Sequence, residues 1–237
     1  MHKIDIPQAI LDRARILRGG REHLFDKLDM SKVAHVIVDL QNGFVAEGAP
    51  VEVPYTRDMM DEVNAISAAV RAAGGTNAFL RFTHDADEKL QWRSLHSTMM
   101  SPEAVARNKA AFTRGAAMWE LSPALDVAET DLIFDKTRFS GFIPGTCDMH
   151  EALQARGIET LIITGTLTNC CCESSARDAM QMGYDIIFVS DANAALTDAE
   201  HNATLASMAA LFADVMSTRD VLALIDTSAP AKLPLAS

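Results

Sequence analysis

The sequence predicts one α/β domain, a three-layer α/β/α sandwich around a mostly parallel six-stranded sheet. Three observations carry that expectation. Short apolar runs alternate with segments of helical periodicity, the pattern of strands buried on both faces by the helices between them. Glycines stand where helical segments should stop, at Gly74-Gly75, Gly157 and Gly183. The chain has 237 residues, 49% of them apolar, enough for one well-buried core.

Residues 1–30 precede the first strand and carry an amphipathic stretch over 9–17. They are expected to form an N-terminal arm or helix packed on the domain or on a neighbouring subunit. The domain itself is expected over 31–227. Residues 33–39 (V-A-H-V-I-V-D) read as its first buried strand. Over 56–73, Met59, Val63, Ile66 and Val70 recur on one helical face before Gly74-Gly75. Further strands are expected at 77–82, 131–134, 160–164, 185–190 and 213–217, with helices at 147–156, 173–182, 198–212 and 219–225. Ser101-Pro102-Glu103 opens another helix, because proline suits the first helical position. The alternation makes the sheet Rossmann-like. Residues 228–237 read as a flexible tail.

Composition narrows the function. A net charge of −11 argues against nucleic acid or an anionic membrane as partner. Asp5, Asp12, Arg13 and Arg15 interrupt the region where a secretory signal would be apolar, and no apolar run reaches the length of a membrane span. Four cysteines, three of them adjacent, make neither a disulfide framework nor paired zinc ligands. The expectation is a reduced, cytoplasmic chain acting on a small molecule.

In open parallel sheets, ligands bind at the carboxyl ends of the strands. Asp39 closes the first strand, Lys136 follows the third, and Cys170-Cys171-Cys172 follow the fourth. The cysteines lie at a strand-to-helix junction, where unpaired N–H groups and the helix dipole favour thiolate. Taken singly, these are a turn carboxylate, a solvated lysine and packed thiols. Together on one rim they make a base, a cation and a nucleophile. Position alone does not choose among the three sulfurs.

Three blocks carry a resemblance to a known family. They are Val36-Ile37-Val38-Asp39-Leu40-Gln41-Asn42-Gly43-Phe44, Lys136-Thr137-Arg138-Phe139-Ser140-Gly141-Phe142, and Gly165-x-x-Thr168-Asn169-x-Cys171-x-Glu173-Ser174-x-Ala176-Arg177-Asp178-Ala179. From about residue 33 to 224 the chain resembles the isochorismatase-like, or cysteine, hydrolases. The resemblance implies Cys171 as nucleophile, Asp39 as general base and Lys136 as the third member of the triad. It also implies a cis peptide between Thr166 and Leu167, and an oxyanion hole from the backbone N–H groups of Leu167 and Cys171. Cys170 and Cys172 are then small core-facing residues, and Cys147 is packing. The implied activity is cleavage of a linear amide or ureido (N-carbamoyl) C–N bond, releasing ammonia through a thioester, with no cofactor.

Within the family, Lys-x-Arg-Phe-Ser-Gly-Phe is similar to the branch of N-carbamoylsarcosine amidases and ureidoacrylate amidohydrolases. Asn42, Phe44, Trp92, Phe139 and Phe142 are the expected substrate contacts, with Trp92 as a lid residue and Arg81 or Arg93 available to a substrate carboxylate. A metal-assisted, nicotinamidase-like alternative would draw on His84, Asp85, Asp87 or His96, whose spacing departs from that pattern; no metal is expected. A vinyl ether hydrolase of the isochorismatase type generally lacks the cysteine. A non-catalytic metabolite-binding member usually loses a triad residue, whereas this chain keeps all three. The resemblance further implies a homo-dimer or homo-tetramer.

Overall fold

The computed structural model describes residues 1–84 and 92–228. Its six strands are β1 (Val33–Val38), β2 (Thr76–Phe82), β3 (Leu132–Lys136), β4 (Thr160–Thr166), β5 (Asp185–Ala194) and β6 (Asp214–Met216). They form one sheet in the order β3-β2-β1-β4-β5-β6. Every pairing is parallel, so the sheet is wholly rather than mostly parallel. The order reverses between β1 and β4, which opens a crevice at their carboxyl ends.

Alternation along each strand splits the core into two layers. Val33 and Ile37 of β1, with Ile162 and Ile187, face α3 (Met60–Ala72) and α8 (Thr218–Ser228), meeting Val63, Ile66, Val70, Val221 and Leu224. Ala34, Val36 and Val38, with Leu161, Ile163 and Phe188, face α5 (Met149–Ala155), α6 (Glu173–Gln181) and α7 (Asp198–Ser207). Because helices cover both faces, β1 is buried at every residue. Two helix starts follow from capping chemistry. Ser101 accepts from the Ala104 N–H ahead of α4 (Pro102–Phe112), and Thr197 accepts from the Glu200 N–H ahead of α7.

The structure shifts several expected bounds. The helix expected over 56–73 starts at Met60, behind a tight turn over Pro54–Met59 that Pro54 initiates. β4 and β5 run past their apolar stretches because polar side chains there find buried partners. Thr166 Oγ1 donates to the Ala194 carbonyl at 3.1 Å, and Asn193 Nδ2 donates to Ile163 and Val189. The helix expected over 198–212 loosens after Ser207 into a wide turn, Met208–Phe212. The arm carries α1 (Gln8–Leu17) and lies on the chain's own body. It is pinned by Arg18, which donates to the fully buried Asp214 at 3.1 Å and to the Ala213 carbonyl. Among the described residues no helix is long and apolar enough to cross a membrane.

Candidate active site

Strand ends build the site. β1 stops at Val38, and Asp39 turns out of the strand with φ 54°, a left-handed conformation that aspartate tolerates better than most residues. Its N–H donates to the Leu80 carbonyl at 3.0 Å, which fixes the turn. Beside it, Gly165 of β4 pairs with Val38 at φ 122°, where an added Cβ would lie 2.1 Å from the Val38 carbonyl oxygen. Only glycine lets these two backbones approach so closely.

Lys136 is the last residue of β3, not the one following it, because β3 extends two residues beyond its apolar run in register with β2 as far as Phe82. Lys136 Nζ donates to Asp39 Oδ2 at 2.7 Å and to the Arg138 carbonyl at 3.1 Å. Both side chains of the pair are wholly buried. Asp39 Oδ1 is also buried and has no regular hydrogen-bond partner among the described residues. Burial raises the Asp39 carboxyl above its ordinary range, against the pull of the Lys136 charge and the Cys171 thiol. Burial also works against the Lys136 ammonium, but the Asp39 carboxylate and Cys171 outweigh it and lift its pKa, so the cation persists.

The wide turn Thr168–Cys172 carries the thiols between β4 and α6. Cys171 is buried and lines a cavity of about 200 Å³ with Phe44, Phe82, Phe139, Leu167 and Cys170. A hydrogen bond with the Cys170 thiol, burial and the Asp39 carboxylate push the Cys171 thiol well up, against Lys136. The resting sulfur therefore holds its proton beside a carboxyl group made more basic by burial. That arrangement suits transfer of the proton to Asp39 as the sulfur attacks. Cys172 is fully buried in the core, and Cys147 is nearly so. Cys170 packs against the core as expected, but it is only half-buried and also shares the cavity with Cys171, because successive residues of a helical turn point in different directions. The Thr166–Leu167 peptide is cis. Among the described residues the Leu167 N–H has no acceptor.

A histidine that sequence reasoning passed over holds this turn. His201 of α7 is buried, with Nδ1 2.9 Å from Thr168 Oγ1 and Nε2 2.9 Å from the Ser190 carbonyl. The carbonyl needs a donor, so Nε2 carries the proton and Nδ1 accepts from the Thr168 hydroxyl. His2 of the arm stacks on the same ring at 4.2 Å.

The expected substrate contacts separate. Phe44, in the short helix α2 (Asn42–Val45), and Phe139 reach the cavity. Asn42 does not line it, since its amide donates to the Ala117 carbonyl at 2.9 Å. Phe142 is core, packed on Tyr184 with centroids 5.6 Å apart. Trp92 meets the edge of Phe139 at 4.5 Å but lines a neighbouring cavity of about 480 Å³ together with Arg138. Arg81 pairs with Asp135 at 2.9 Å and lies over Trp119, while Arg93 is exposed. Val51, Leu95, Met100 and Asn108 complete the cavity around Cys171 and lie in none of the three motifs. His84 and His96 meet edge to face at 5.3 Å; Asp85 and Asp87 lie outside the described residues. Among the described residues, no group of three or more His, Cys, Asp or Glu is placed to hold a metal.

Comparison with known proteins extends the match beyond the site. The chain is 32% identical to the isochorismatase family protein YwoC of Bacillus subtilis over 181 residues, covering 75% of this chain and 86% of that one. It is 31% identical over 198 residues to the ureidoacrylate amidohydrolase RutB of Klebsiella pneumoniae, covering 76% and 78%. A cysteine hydrolase from Pseudomonas syringae pv. phaseolicola superposes with a TM-score of 0.76 at 28% identity, covering 84% of this chain and 95% of that one. The model of the isochorismatase domain matches residues 33–220, a span that begins at β1 and contains Asp39, Lys136 and Cys171, and the chain belongs to the isochorismatase family of hydrolases.

Proposed function

We propose that the chain is a cysteine-dependent amidohydrolase that cleaves a linear amide or ureido C–N bond of a small molecule and releases ammonia. The observation that carries this reading is the buried Lys136–Asp39 pair at 2.7 Å beside Cys171, whose thiol lines the cavity. Asp39 takes the Cys171 proton as the sulfur attacks the carbonyl carbon, and Lys136 balances the negative charge that develops. The tetrahedral oxyanion is met by the Leu167 and Cys171 backbone N–H groups. Protonated Asp39 passes its proton to the leaving nitrogen, the C–N bond breaks, and ammonia departs from the thioester. Water then attacks the thioester carbonyl with Asp39 again as base, freeing the acid and restoring the thiol. Relatives named as ureidoacrylate amidohydrolases support C–N chemistry for this chain.

The test is ammonia release from a panel of amides and ureido acids, with mass spectrometry of the acid-quenched protein. The expected result is an acyl adduct on Cys171 and loss of ammonia release in Cys171→Ala. Full activity in Cys171→Ala, or its loss only in Cys170→Ala, overturns the assignment.

A further inference from the structure

We infer that the acyl half of the substrate is uncharged and apolar, with about four to eight carbon atoms, so that the preferred substrate is a neutral aliphatic or aromatic carboxamide and not a ureido acid; the inference rests on the amidohydrolase reading above. The walls around Cys171 are Phe44, Phe82, Phe139, Leu95, Met100 and Leu167. They are built in advance. Phe44 stacks on Phe112 with centroids 4.7 Å apart, and Phe82 meets the same ring edge-on at 5.5 Å. Phe112 is itself fully buried, so the core holds both walls in place.

Charge bookkeeping points the same way. Lys136, the cation nearest the sulfur, is already committed to Asp39. Arg138 lines the neighbouring cavity, on which Phe139 also borders. None of the described residues that line this cavity carries a charge, and Asn108, whose amide can both donate to and accept from a carboxamide, is the one amide among them. A substrate carboxylate inside these walls would lose its hydration and meet no cation among the described residues that line them. The volume of about 200 Å³ suits a small group, since an apolar cavity of about 150 Å³ accommodates benzene. The product acid ionises once hydrolysis is complete, and the walls that held the neutral amide then disfavour the anion, which promotes its release.

Two measurements on the full chain separate this inference from the reaction it rests on. The first is calorimetric binding to Cys171→Ala of pentanamide, benzamide and N-carbamoylglycine. The second is kcat/KM for ammonia release by the wild type along acetamide, propanamide, butanamide and pentanamide, with N-carbamoylglycine alongside. Binding of the two neutral amides at least tenfold tighter than the ureido acid is expected, with kcat/KM rising about threefold to fivefold per methylene. Leu95→Arg, at a half-buried position of the turn Ser94–Met99, should reverse the preference by placing a cation against the cavity. Equal or tighter binding of the ureido acid to Cys171→Ala overturns the inference, as does a flat methylene series in a wild type that turns amides over. Graded binding of neutral amides by a wild type that releases no ammonia upholds the cavity inference and overturns the amidohydrolase reading instead.

Discussion

The Lys136 ammonium donates to the Asp39 carboxylate across 2.7 Å, and solvent reaches neither side chain. Such a pair is expensive to break from one side, because the remaining charge stays buried without its counterion. Lys136→Met is therefore expected to destabilise the fold by about 3–5 kcal/mol at neutral pH, read from urea denaturation. It also removes the charge that holds the Asp39 pKa down against burial. If Asp39 is the base, its protonated form is inactive, so the acid limb of kcat/KM moves to higher pH in this variant. An unmoved acid limb would count against Asp39 as the base.

Cys170 and Cys171 share one cavity but differ in proton affinity. Their mutual hydrogen bond lowers the Cys170 thiol, whereas that bond and burial raise Cys171. A slow alkylating reagent added to the resting chain at neutral pH should thus modify half-buried Cys170 before Cys171. Peptide mass spectrometry over a time course decides this. Modification of Cys171 first would show that its thiolate predominates before substrate arrives.

The three strand-end residues were legible because a parallel sheet delivers its strand termini to one rim, whatever the intervening helices contain. Asp39 and Lys136 lie 97 positions apart, yet two apolar runs sufficed to bring them to that rim. Less legible was which neighbours face inward. Cys170 reads as packing, which it is in part, but the wide turn over Thr168–Cys172 also brings it to the cavity. Phe142 and Asn42 stand in the same motifs as Lys136 and Asp39, but local geometry directs one to the core and the other to a backbone carbonyl. Leu95, Met100 and Asn108 come from the segment before and within α4, where no periodicity distinguishes a cavity wall from an ordinary helix face. His201 and Asp214 are polar residues whose burial follows from tertiary partners that no local pattern announces.

Gly165 should be irreplaceable. Its missing side chain would meet the Val38 oxygen, nitrogen and carbon within 2.8 Å, and its φ of 122° strains any other residue. Gly165→Ala must open the β1–β4 pairing at Val38, immediately before Asp39. We expect a loss of at least about 3 kcal/mol, from the clash and the positive φ together. Gly141→Ala is the useful contrast, because its Cβ would meet the Leu80 and Met149 side chains at 2.9 and 3.1 Å, which can rotate away. Urea midpoints for the two variants should differ widely, and equal midpoints would contradict the account of Gly165.

Two buried imidazoles contribute to the response of the fold to acid. Burial lowers His35 from 6.5 to about 3, and it lowers His201 to about 4. His35 is a residue of β1, with Nε2 2.8 Å from Thr164 Oγ1 and Nδ1 3.2 Å from Ser67 Oγ, so both ring nitrogens are engaged in its neutral form. Below pH 6.5 the unfolded chain protonates each ring, while the folded chain does not until about pH 4 at His201 and about pH 3 at His35. The stability these rings contribute is therefore complete above pH 6.5 and declines as pH falls. The slope is about 1.4 kcal/mol per pH unit for each ring, or roughly 3 kcal/mol each by pH 4. Paired carboxylates add their own losses at lower pH, so the wild type alone does not isolate the histidines. The His35→Gln/His201→Gln variant does: it should be less stable at pH 7 but lose less stability between pH 6.5 and 4. Urea denaturation of both proteins at intervals across that range is the measurement, and parallel curves would show that these rings do not govern the acid response.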